Sequence, residues 1–212
     1  MLIPYNLIYN FIVNRCTSLK IDESHAVKHS LNVLKYSQKI FNIESKFYPE
    51  LNNKEKIIYT SAMLHDMCDK KYMDEKKGLE DLGNFMRNID YKKSEIDIIL
   101  DIINTMSYSK VKKNGFPDLK EYQKSYNIVR EADLLTGYDI ERCMVYGLIN
   151  EELDYYDSFK KAKKMYKVRM GKHIEDNLFT TKYGIMEAIR LDKENRIRLN
   201  ELEEIIKKNY LI

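Results

Sequence analysis

Residues 22–43 read DESHAVKHSLNVLKYSQKIFNI, and the placement of apolar side chains within them decides the fold. Val33, Tyr36 and Ile40 stand four, seven and eleven positions beyond His29, which is the spacing of one helix face and not the alternation of a strand. His25 lies one turn before His29 on that face, and no glycine or proline interrupts the segment. Asp22 supplies an oxygen suited to an N-cap, so a helix is predicted over about 22–43.

The rest of the chain reads the same way. Its 212 residues contain only 7 glycines and 3 prolines, too few for the many tight turns of a sandwich or barrel or for a glycine-rich nucleotide fold. The expectation is an all-α single domain of about nine helices. A first helix is predicted from Pro4 to about Lys20, and a third from after Asn53 to about Cys68. Asp74 caps a fourth, to about Asn88, and a Ser94–Asp97 capping box opens a fifth that ends near Met106. Residues 107–118, with Gly115 and Pro117, are predicted to be loop. A sixth helix follows from about Leu119 to Leu135, and Thr180 is the predicted cap of the last.

Composition narrows the function. Hydrophobic residues at 44% and charged residues at 33% describe a globular chain rather than a disordered one. Cys16, Cys68 and Cys143 are odd in number and form no C-x-x-C pair, which excludes a disulfide framework and a cysteine zinc site and fits a reducing compartment. The apolar start contains Asn6 and Asn10 but no basic leader, so it reads as an amphipathic helix and not a signal peptide. No apolar run approaches a membrane span. A soluble cytoplasmic protein with no membrane partner is expected. The net charge of +3 is small, and the run Lys160 to Lys172, with seven basic residues and no acid, reads more simply as a solvated helix face than as a surface for RNA.

The informative residues are polar ones on apolar faces. His29 shares its stripe with Val33, Tyr36 and Ile40. His65 follows Ile58 and Ala62, with Asp66 directly after it, and Asp133 continues the stripe of Tyr122, Tyr126 and Val129. One such histidine is ordinarily a hydrogen-bonded core residue. Two imidazoles and two carboxylates from three helices are costly to bury together unless they converge on a cation. His29, His65, Asp66 and Asp133 are therefore the predicted ligands of one divalent metal ion. A nitrogen and oxygen set without thiolate suits Mn2+ first, with Fe, Co, Ni, Zn or Mg as further candidates. Four protein ligands on an octahedral ion leave positions for water and substrate.

These residues form an H…HD…D pattern, and the sequence around each one resembles the HD-domain superfamily of metal-dependent phosphohydrolases. Residues 24–33 resemble the opening "HDxxHxxRV" of small bacterial HD hydrolases, and residues 62–71 their "LLHDxxDxK". Met106-Ser107-Tyr108-Ser109 is similar to "HSFS", residues 129–135 to "VxDADRLD", and Glu141-Arg142-Cys143 to "ARC". The resemblance spans about residues 20–200. It implies an HD-type core over about 20–150 with C-terminal helices 151–212 packed on it. It also implies hydrolysis at phosphorus of a small phosphorylated substrate, a nucleotide, with nucleic acid not the expected partner.

In that chemistry Asp66 is both ligand and catalytic carboxylate, and Asp69 and Glu131 are the candidates to take a proton from water. His25, Lys71, its neighbour Lys70 and Arg169 are the candidate phosphate contacts. Ala26, Asn32, Met106 and Leu134 depart from the subgroup pattern, replacing an aspartate, an arginine, a histidine and an arginine. An HD module that binds a nucleotide without turning it over is the alternative, as is a nuclease role through residues 160–172.

Overall fold

A computed structural model describes residues 2–22 and 25–210. Among them there are ten α-helices and no strand, so the fold is all-α as the periodicity predicts. The helices are α1 (Tyr5–Leu19), α2 (Val27–Glu44), α3 (Glu55–Leu64), α4 (Glu75–Asn88) and α5 (Lys93–Thr105). They continue as α6 (Tyr108–Asn114), α7 (Gln123–Thr136), α8 (Ile140–Asn150), α9 (Tyr155–Val168) and α10 (Lys182–Tyr210). No helix is long and apolar enough to cross a membrane.

Most differences from the predicted elements are differences of capping. Asp22 does not cap α2, which starts at Val27; its carboxylate instead accepts from Lys71 Nζ at 2.8 Å and from the Tyr72 hydroxyl. Asp74 caps α4 as predicted, accepting from Lys77 N at 2.8 Å. α5 is opened by Glu95, which accepts from Lys92 N at 2.9 Å, and not by a Ser94–Asp97 pair. The segment predicted as loop holds α6, capped by Ser107 and stopped at Gly115, whose φ of 77° belongs to the left-handed region. α3 ends at Leu64, four residues short of the predicted end, so His65 and Asp66 occupy the turn after it.

α3 is the innermost element, with every residue from Ile57 to Leu64 buried. It packs against α2, α5 and α7, and the most extensive contact in the protein is between α2 and α7. α4 covers α5, α9 lies on α8, and α10 runs across α2 and α7.

The start of α10 is fixed by two carboxylates. Glu44 of α2 accepts from Lys182 N at 3.0 Å. Glu131 of α7 accepts from the backbone and hydroxyl of Thr180, both at 2.7 Å, and from those of Thr181 at 3.2 and 2.5 Å. Thr181 Oγ1 in turn accepts from Gly184 N at 3.0 Å, so the cap of α10 is Thr181, one residue beyond the predicted Thr180. Negative charge at this end also suits the helix dipole. A side chain at position 184 would meet Glu131 Oε2 and Thr181 Oγ1, which explains the glycine there.

Candidate metal centre

His29 is carried on α2, His65 and Asp66 on the turn after α3, and Asp133 on α7. The tight packing of α2, α3 and α7 brings the four together. The two imidazole Nε2 atoms are 3.1 Å apart. Asp66 Oδ2 lies 3.2 Å from His29 Nε2 and 3.3 Å from His65 Nε2. Asp133 Oδ1 lies 3.3 and 3.6 Å from the same atoms. The ligand atoms of His29, His65 and Asp133 all fall within 4.8 Å of one another.

These separations fit a shared cation. Ligands about 2.1 Å from one ion are about 3.0 Å apart at octahedral angles and about 3.4 Å apart at tetrahedral ones. A second observation agrees: Asp66 Oδ2 is buried yet has no well-directed hydrogen bond among the described residues. The imidazole side chains are only 2% and 3% exposed, whereas Asp66 and Asp133 are 16% and 26% exposed, so solvent reaches the cluster from the carboxylate side.

The other nitrogen of each ring determines what Nε2 can do. His65 Nδ1 lies 2.9 Å from the Ala62 carbonyl, which can only accept. The ring therefore carries its hydrogen on Nδ1, and that bond also satisfies a carbonyl at the end of α3. His29 Nδ1 faces Thr136 Oγ1 at 3.3 Å and Arg142 Nη1 at 2.7 Å. The Thr136 hydroxyl donates to the Asp133 carbonyl at 2.7 Å, which leaves its oxygen lone pairs as acceptors.

Without a cation, protons balance the charge. Burial alone lowers the His65 pKa, but the Asp66 and Asp133 carboxylates outweigh it and hold the ring well above the usual histidine range. Burial raises the Asp133 pKa, and its contacts with His29 and His65 reverse this, so it titrates well below the ordinary value. Asp66 is lowered in the same way, chiefly by His65 against burial.

The remaining predicted site residues divide. His25 sits edge-on to His29, with ring centroids 6.1 Å apart, and its Nδ1 is 3.2 Å from the Tyr72 hydroxyl. Lys71 reaches Asp22 and lies 4.3 Å from the ring centroid of Tyr146, so it borders the same region. Asp69 accepts from Lys71 N at 2.7 Å and holds that turn.

Lys70 points elsewhere, into a cup with Lys110, Lys113 and Phe116, and does not join Lys71. Glu131 is fully buried and committed to Thr180 and Thr181. Its reading as a proton acceptor is corrected: the carboxylate anchors α10. Arg169 stacks 4.7 Å over Tyr108. Met106 and Leu134 are core residues, 3% and 4% exposed. In the basic run, Lys160, Lys161 and Lys163 are paired with Asp157, Glu151 and Glu203.

Thr136 and Arg142 were not singled out for this site. Thr136 was legible as one turn beyond Asp133 on the same helix, whereas Arg142, part of the segment similar to "ARC", reaches His29 across 113 residues, a contact that no local pattern records.

His173 is 1% exposed beside Tyr108, Tyr138 and Phe179, and neither ring nitrogen has a hydrogen-bond partner among the described residues. Burial, then the charge of Arg169, lowers its pKa to about 4. The unfolded chain takes up this proton below about 6.5, whereas the folded chain does so only near 4. Stability is therefore expected to fall by about 3 kcal/mol as pH drops through that window. Urea unfolding of wild type and His173→Phe at pH 7 and pH 4 checks this. The gap between them should shift toward the variant by that amount, and an unchanged gap contradicts the assignment.

No family model and no curated protein matches the chain. A solved structure of a Lactobacillus plantarum protein, a structural genomics target, is similar in fold, with a TM-score of 0.71. The match covers 96% of this chain and 97% of that one at 16% sequence identity.

Proposed function

We propose that this chain is a metal-dependent phosphohydrolase acting on a small nucleotide, as its resemblance to HD-domain enzymes implies. The observation that carries the reading is the cluster itself, two imidazole nitrogens 3.1 Å apart with a carboxylate oxygen of Asp66 and one of Asp133 each 3.2–3.6 Å from both. It is buried on the histidine side and open on the carboxylate side. His29, His65, Asp66 and Asp133 would hold the ion, and manganese suits this donor set well. A bound divalent ion supplies Lewis-acid polarisation of a phosphoryl oxygen and acidifies a water.

The chain's own groups do the rest. The Ala62 carbonyl keeps His65 in the tautomer that presents a lone pair at Nε2. The carboxylates of Asp66 and Asp133 form the partly exposed side of the cluster, where a water would approach. His25 and Lys71, joined through Asp22 and Tyr72, place an imidazole and an ammonium at the rim for phosphate oxygens. Asp69 sets the turn that carries Lys71.

Nucleoside mono-, di- and triphosphates assayed with manganese, with release of phosphate and pyrophosphate measured separately, test the reading. Turnover by wild type and none by Asp133→Ala is expected. Tight nucleotide binding with no turnover across the panel would replace the enzyme with a nucleotide-binding module.

A further inference from the structure

A cleft of about 500 Å³ opens behind His29, on the side of the ring away from the ligand cluster. Lys28, Lys35 and Arg142 line it, as do Asp22, Asp139 and Glu141. The acids are already engaged. Asp22 is held by Lys71 and Tyr72, Asp139 accepts from the backbone of Arg142 at 2.9 Å, and Glu141 pairs with Arg198 at 2.6 Å. Lys28, Lys35 and Arg142 form no ion pair among the described residues. The cleft is thus a concave surface with two lysines in no ion pair among the described residues and an arginine held by the neutral ring of His29, walled also by the rings of Tyr36, Tyr138 and Tyr146.

Arg142 joins this cleft to the metal centre. It has donors only, so at 2.7 Å it requires a lone pair on His29 Nδ1. A neutral imidazole whose Nε2 ligates a metal must instead carry its hydrogen on Nδ1 and donate it. Thr136 Oγ1 is in place to accept that hydrogen. A metal on Nε2 and the Arg142 contact on Nδ1 therefore exclude each other.

We propose that the cleft binds a phosphate-bearing ligand through Arg142, Lys28 and Lys35, and that this binding and metal binding strengthen each other through His29. The proposal rests on the metal reading above. A metal turns Arg142 away from His29 and into the cleft. A phosphate that holds Arg142 there frees Nδ1 to donate to Thr136, and linkage makes the two effects equal.

Titration calorimetry of the full chain with manganese tests this, alone and with inorganic phosphate or a non-hydrolysable phosphonate analogue of adenosine monophosphate. Wild type is expected to bind manganese about tenfold more tightly with either anion, the scale of one charge-assisted hydrogen bond. Arg142→Met should bind manganese about tenfold more tightly than wild type without any anion, and gain nothing from one. The double variant Lys28→Gln/Lys35→Gln keeps the Arg142 contact, so it should match wild type with manganese alone and lose the anion effect. A larger gain from the analogue than from phosphate assigns the tyrosine wall to a nucleoside; equal gains assign the cleft to phosphate alone.

Manganese binding by wild type with no tightening in Arg142→Met overturns the coupling and leaves the metal centre standing. An anion effect that survives in both variants places the anion on the metal itself and also overturns the proposal. Failure of wild type to bind manganese removes both readings.

Discussion

Manganese at about a hundred times its dissociation constant is expected to raise the unfolding midpoint by roughly 5–10 °C. Ligand binding to the folded state at that excess contributes about 2.7 kcal/mol, and a chain of this size gains about 2–4 °C for each kcal/mol. The shift should vanish in His65→Ala/Asp66→Ala, which removes a nitrogen and an oxygen from the cluster. A midpoint that rises equally in that variant would place the ion elsewhere. The same titration should release protons, because the carboxylates hold the His65 pKa well above its usual value and a metal must displace that proton. Affinity is accordingly expected to weaken as pH falls from 8 to 6, and an affinity flat across that range would contradict the assignment.

The second large effect lies away from the cluster. Glu131→Ala should cost about 3–5 kcal/mol, because it leaves the buried Arg130 charge, 3.8 Å away, and the donors of Thr180 and Thr181 without their acceptor. The midpoint should fall by roughly 6–20 °C. Glu131→Gln keeps one acceptor oxygen and should be milder, with manganese affinity and turnover close to wild type. Loss of turnover in Glu131→Gln with stability and metal affinity intact would restore the catalytic reading.

Much of the cluster was legible in the sequence because burial is written in helical period. His29 and Asp133 each continue an apolar stripe, and ionisable groups on such stripes need partners. The same period carried a warning about Glu131. Two residues along a helix turn about 200°, so a side chain at 131 faces away from one at 133. Adjacency in a motif suggested a shared site where helix geometry separates the two. Lys70 and Lys71 are a parallel case, consecutive in a turn, with Lys70 lining a cup beside Lys110 and Lys71 held on Asp22 and over the Tyr146 ring.

Capping was less legible. Asp22, Ser94 and Thr180 are all sound cap residues by type, but tertiary partners decided their use: Lys71 and Tyr72 took Asp22, and Glu131 took Thr180. α6 was hidden because Gly115 and Pro117 signal the end of a short helix as readily as a loop. Arg142 was out of reach for another reason. Its partner is set by how α8 lies beside α2, and nothing within its own helix records that placement.

Glu44 and Glu131, which grip the first turn of α10, belong to the same two helices that carry His29 and Asp133. Residues 180–182 therefore act as a tie-beam between the posts on which the ligands are mounted, the threonines holding Glu131 and the Lys182 N–H holding Glu44. The resemblance to HD-domain enzymes divides the chain into a core and an addition, but the load path does not follow that division. In any account of what this chain can lose, the residues after 178 belong to the candidate metal centre, although none of them supplies a ligand to it.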